Sequence, residues 1–105
     1  MRRLSIREKC LREIKRLDPK VKHPEESYAA IFLLTALHVG PRLGKIMKAS
    51  GLDPELCRRY FHNAQHHKIF RGGKIACEWF EKNGGVAFWC DTLVLDGLLE
   101  KVYHA

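Results

Sequence analysis

Residues 29–37, Ala-Ala-Ile-Phe-Leu-Leu-Thr-Ala-Leu, are apolar on nearly every side. A helix without a polar face is stable in water only when other elements surround it, so this run is expected to be the central helix of a compact unit. The strongly apolar stretch 28–37 is about half of the ~20 residues that cross a bilayer, and no membrane span is expected. Pro24 suits the first turn of this helix, where its missing N–H costs nothing, with Glu25 and Glu26 facing the positive end of the helix dipole. Gly40 is expected to form a left-handed cap, and Pro41 prevents the helix from continuing.

The 105-residue chain supplies about one domain. Before the central run, Ile6, Cys10, Ile14 and Leu17 recur at spacings of three and four, with Leu11 beside them, and define the apolar stripe of a helix. The opposite face carries Arg2, Arg3, Arg7, Lys9, Arg12, Lys15 and Arg16. Asp18-Pro19 ends this helix, because the residue before proline is pushed out of helical geometry. The expected organisation is a basic N-terminal amphipathic helix and linker over 1–22 and a domain over 23–105. The helix reads as an ordinary packed one, as a phosphate-contacting arm or as a dimerisation helix.

Charge is unevenly distributed along the chain. The net +7 divides into +6 over residues 1–22 (nine basic, three acidic), −2 over 23–40 (two acidic), +6 over 41–74 (eight basic, two acidic) and −3 over 75–105 (two basic, five acidic). Basic blocks fit a polyanionic partner, since cations that neutralise phosphates release condensed counterions; the plainer alternative is a set of solvated helix faces. Cys10, Cys57, Cys77 and Cys90 are widely spaced without a C-x-x-C pair. Neither a disulfide framework nor structural zinc is expected, and reduced thiols in a cytoplasmic protein are.

Residues 42–70 hold the most informative pattern. Leu43, Ile46 and Met47 form the inward side of a helix ending at Ser50-Gly51, where glycine permits a backbone turn that a Cβ resists. Asp53-Pro54-Glu55 then combines an N-cap acceptor, proline at the first helical position and an acid in the first turn. Cys57, Phe61 and Ala64, with Tyr60 on the margin, mark the inward face of the second helix. Glu55, Arg58, Arg59, His62, Asn63 and His66 are expected outward. Arg71-Gly72-Gly73-Lys74 follows as a two-residue hairpin loop between strands 68–71 and 74–77, because paired glycines accept positive φ.

Residues 46–61, Ile-Met-Lys-Ala-Ser-Gly-Leu-Asp-Pro-Glu-Leu-Cys-Arg-Arg-Tyr-Phe, resemble the helix-turn-helix of winged-helix transcription regulators. Lys68-Ile69-Phe70-Arg71 resembles the point where a recognition helix enters the first wing strand. Lys68 stands where that family usually has glycine, and Met47 where it usually has a smaller residue. The resemblance implies a mainly α fold with a small β-hairpin wing, a winged helix-turn-helix, that binds double-stranded DNA as a small transcriptional regulator, usually as a homodimer. Arg58, Arg59 and Asn63 would reach the major groove, where arginine pairs with guanine and asparagine with adenine. Glu55 and His62 lie on the same expected surface, while Arg42, Lys45, Lys48, Arg71 and Lys74 would grip the backbone. The N-terminal helix and the apolar C-terminal segment are the candidate dimer surfaces. The alternative is a winged-helix module that binds a protein partner and no DNA.

Beyond the hairpin, residues 75–82 read either as a further strand or as a two-turn helix before Asn83-Gly84-Gly85. Trp79, Phe80, Phe88 and Trp89 are expected to cover the core, base stacking being the minority alternative. Residues 86–96 have helical spacing, and 98–103 read as a strand or a further turn. Residues 93–102 offer a rival recognition-helix frame, disfavoured because it is acidic. His62 and His66 lie four apart on one helix but have no acidic or cysteine ligand at a characteristic spacing, so no metal site is expected. No nucleophile with a base, no paired carboxylates and no phosphate loop after a strand mark an enzyme, and no cofactor is implied.

Overall fold

In the computed structural model, residues 3–82 are described. They form helix α1 (Ile6–Leu17), a 3₁₀ turn (Pro24–Glu26), α2 (Tyr28–Val39), α3 (Leu43–Ser50), α4 (Pro54–His66), strands β1 (Phe70–Arg71) and β2 (Lys74–Ile75), and α5 (Cys77–Lys82). The architecture is mainly helical with one small antiparallel sheet. The sequence expectations on residues 83–105 and the side chains of Trp79 and Phe80 lie outside what is described. No single helix among the described residues is long and apolar enough to cross a membrane.

Helix α2 is central, and every residue from Ala29 to Ala36 is buried. It packs against α1, α3 and α4, which explains why it needs no polar face. Helix α1 brings Cys10 and Ile14, both fully buried, into the same core, while Ile6, Leu11 and Leu17 pack at its margin. The centre of the α1 stripe is therefore used within the chain, and its margin stays half-buried. Ser5 caps α1 by accepting from the Glu8 backbone N–H at 3.1 Å.

Two expected helix ends differ in detail. Pro24 opens the separate 3₁₀ turn instead of α2, because Ser27 (φ −83°, ψ 63°) breaks the helical path. The first bond of α2 runs from the Ile31 N–H to the Ser27 carbonyl, 2.9 Å. Gly40 does take a positive φ, 92°, but with ψ 166°. That is the extended region open essentially to glycine alone, not the left-handed helical cap.

The hairpin forms at the expected place with shorter strands. Phe70 opposes Ile75 and Arg71 opposes Lys74. The linking residues Gly72 and Gly73 have φ 58° and 76°, the paired positive values of a tight hairpin turn. The hairpin is tied to the core by Phe70, whose ring lies 5.9 Å from Phe32 and 5.6 Å from Phe61. After it, residues 77–82 take the helical alternative.

At the end of α4, Lys68 has φ 61° and is the one non-glycine residue with positive φ among those described. It occupies a left-handed conformation that costs a residue with a Cβ about 1–2 kcal/mol. Glycine removes that strain but loses about 0.5–1 kcal/mol of backbone entropy. Lys68→Gly is therefore expected to stabilise the chain by on the order of 0.5–1 kcal/mol, raising Tm by a few degrees. Lys68→Ala should leave Tm nearly unchanged; thermal unfolding of the pair checks both.

Candidate nucleic-acid interface

The turn between α3 and α4 is held by a small set of polar contacts. Gly51 adopts φ 68°, ψ 12°, a left-handed geometry that reverses the chain at little steric cost only for glycine. The Ser50 hydroxyl accepts from the Leu52 backbone N–H at 3.2 Å and lies 3.9 Å from Cys57 Sγ. Burial pushes the Cys57 thiol upward, partly offset by its contact with Ser50. Cys57 is thus a protonated packing group, as expected from its inward position. Cys10 is similar: burial raises its thiol, with Thr35 opposing that shift from 3.6 Å. Asp53 caps α4 by accepting from the Glu55 N–H, 3.4 Å.

Arg7 adds a contact that helical periodicity does not reveal. Its Nη1 donates to the Ser50 carbonyl at 2.7 Å across 43 residues of sequence, satisfying a carbonyl at the C-terminus of α3 that has no partner within its own helix. Arg7 was expected on the solvated cationic face of α1; the structure makes it a clamp on the α3–α4 turn. Lys15 folds back to donate to the Val21 carbonyl at 2.8 Å. Arg16 pairs with Glu13 and holds that carboxyl below its usual range. Arg7→Ala is expected to cost about 1–2 kcal/mol, because a partly buried charge-assisted hydrogen bond is lost. Arg16→Ala, which breaks only an exposed pair, should cost under about 0.5 kcal/mol. Urea unfolding midpoints distinguish the two.

The expected site residues fall into three groupings and one exception. Arg42, Lys45 and Lys48 are exposed, at the start and along the outer side of α3. On α4, Glu55, Arg58 and His62 are exposed at spacings of three and four, a single ridge. With half-buried Arg59 they line a hollow of about 340 Å³. Arg71 and Lys74 face each other in the hairpin register, both exposed. The exception is Asn63, expected outward and found fully buried. The buried arc of α4 is centred on Tyr60 and Ala64, so Asn63 falls inside it and Phe61 lies half-buried at its edge. An amide enclosed there cannot reach a ligand surface without opening the core. Tyr60, expected on the margin, is a core residue at 2% exposure.

His66 and His67 stack edge to face, 5.7 Å between ring centres. No group of three or more metal-ligating side chains occurs among the described residues. Exposed arginine, lysine and histidine on a helix ridge, a helix flank and a hairpin tip are suited to contacting phosphates by charge-assisted hydrogen bonds. No family model matches the chain, and no curated protein or solved structure is significantly similar to it.

Proposed function

We propose that the chain binds double-stranded DNA as a winged helix-turn-helix domain, acting as a small transcriptional regulator. One arrangement carries this: α3 and α4 joined at left-handed Gly51, followed directly by a hairpin with Arg71 and Lys74 at its tip. In that role α4 is the recognition helix and the hairpin its wing. Arg58 and His62 would meet the groove, and Arg42, Lys45, Lys48, Arg71 and Lys74 would hold the backbone. Asn63 has no part in it, and Arg59 would contribute only the exposed portion of its side chain. A homodimer on a two-fold site would find only the half-buried margin of the α1 stripe available, since the core occupies Cys10 and Ile14.

Retardation of a mixed-sequence duplex at about 50 and 200 mM salt tests the proposal, since phosphate-driven binding weakens steeply over that range. Arg58→Ala with Lys48→Ala is the variant of choice because both side chains are exposed, so binding can be lost while Tm is kept. Absence of retardation at the lower salt would overturn the DNA reading and leave the protein-binding alternative. Glu55, an acid amid the α4 cations, is the feature that favours that alternative.

A further inference from the structure

We propose that the groove between α1, α2 and α3 binds a small organic anion with an apolar body, and that this anion competes with DNA for Lys45 and Lys48. The groove, about 650 Å³, is lined by Ser5 and Ile6 from α1, His38 and Val39 from α2, and Lys45, Lys48 and Ala49 from α3. Its volume falls within the range of small-molecule sites, which combine an apolar lining with a few convergent polar groups. Here the lining has two kinds of surface. Ile6, Val39 and Ala49 are half-buried and offer an apolar floor, whereas Lys45 and Lys48 are exposed and offer paired ammonium groups.

Charge fixes the sign of the occupant. No acid lines the groove among the described residues. The positive end of the twelve-residue helix α1 lies at Ser5 and Ile6, reinforcing the lysines. Glu8, the acid in that first turn, accepts from the Ser5 hydroxyl at 3.2 Å. His38, exposed on the α2 side of the groove, adds a ring N–H donor that suits an anionic acceptor. The apolar floor fixes the rest. A DNA phosphate needs cations alone and gains nothing from Ile6, Val39 and Ala49, whereas a carboxylate or sulfonate on an aromatic or short aliphatic body would use both surfaces.

Binding in the groove stands without DNA, but the competition rests on the DNA reading, and the two are tested separately. The first measurement titrates 1-anilinonaphthalene-8-sulfonate into the full chain, beside its neutral analogue N-phenyl-1-naphthylamine. The sulfonate is expected to saturate a single site, and Lys45→Glu with Lys48→Glu to weaken it by roughly tenfold or more, with Tm unchanged because both lysines are exposed. Arg58→Ala should not alter the titration. Sulfonate binding that is indifferent to the two lysine substitutions, or matched by the neutral amine, overturns the site. The second measurement adds saturating sulfonate to the retarded duplex. Release of DNA supports competition, and undiminished retardation overturns it. If no duplex is retarded at all, the regulatory coupling falls with the DNA reading, while the titration still decides whether the groove binds anions.

Discussion

Replacing Phe32 with alanine is expected to destabilise the chain by about 3–5 kcal/mol, the range for truncating a fully buried aromatic. Phe32 has no exposed surface, and its ring lies 5.7 Å from Tyr60 on α4 and 5.9 Å from Phe70 on β1. One side chain of the central helix therefore joins α4 and the hairpin. Its loss removes both ring contacts and leaves a cavity where α2, α4 and β1 meet. Small domains have total stabilities of about 5–15 kcal/mol, so the variant should show a Tm lower by on the order of 20 °C, or no cooperative transition. Phe61→Ala is the comparison. Phe61 is half-buried and reaches Phe70 from the rim of the α4 face, so a loss of roughly 1–2 kcal/mol is expected. Urea unfolding of the three proteins side by side checks the ordering. Equal losses at the two positions would mean that the hairpin, and not α2, organises this core.

The contrast between those phenylalanines shows what was legible in the sequence. The run 29–37 announced its central place because an all-apolar helix has no other solution in water. The starts and stops at Asp53-Pro54, Ser50-Gly51 and Gly72-Gly73 were legible because each rests on a local backbone requirement. Phe61 and Tyr60 were harder to rank: both lie near the inward face, and only the angle at which α4 meets α2 puts Tyr60 at the centre. The same rotation enclosed Asn63, whose polarity pointed outward. Arg7 was illegible for a different reason, since its partner carbonyl is 43 residues away and nothing in helical periodicity encodes a contact at that distance. Of the candidate site, exposure of Arg58, His62, Arg71 and Lys74 followed from period and turn chemistry. The groove at Lys45 and Lys48 did not, because three helices from separate parts of the sequence must meet before it exists.

The dependence of duplex binding on salt is expected to report directly on the cationic groupings. Each phosphate neutralised contributes about −0.9 to the slope of log K against log salt. If Arg42, Lys45, Lys48, Arg71 and Lys74 each neutralise one, the slope should be roughly −4 to −5, and each single alanine variant should bring it about one unit closer to zero. These losses should be the same on any sequence, because backbone contacts carry no base information. Arg58→Ala should behave differently if the α4 ridge enters the major groove, costing about 1–3 kcal/mol on the preferred site and much less elsewhere. Glu55→Gln gives the opposite sign. Glu55 is exposed in the first turn of α4 and lines the same hollow as Arg58, so removing its charge should strengthen non-specific binding by lifting repulsion from the phosphates. A ridge used for a protein partner predicts none of this. There no duplex is retarded by wild type or by any of the variants, so no salt slope arises, and Glu55→Gln does not create one. Measuring the slopes for wild type, Lys48→Ala, Lys74→Ala, Arg58→Ala and Glu55→Gln on a preferred and an unrelated duplex thus separates backbone grip from base reading, and both from a surface that never meets DNA.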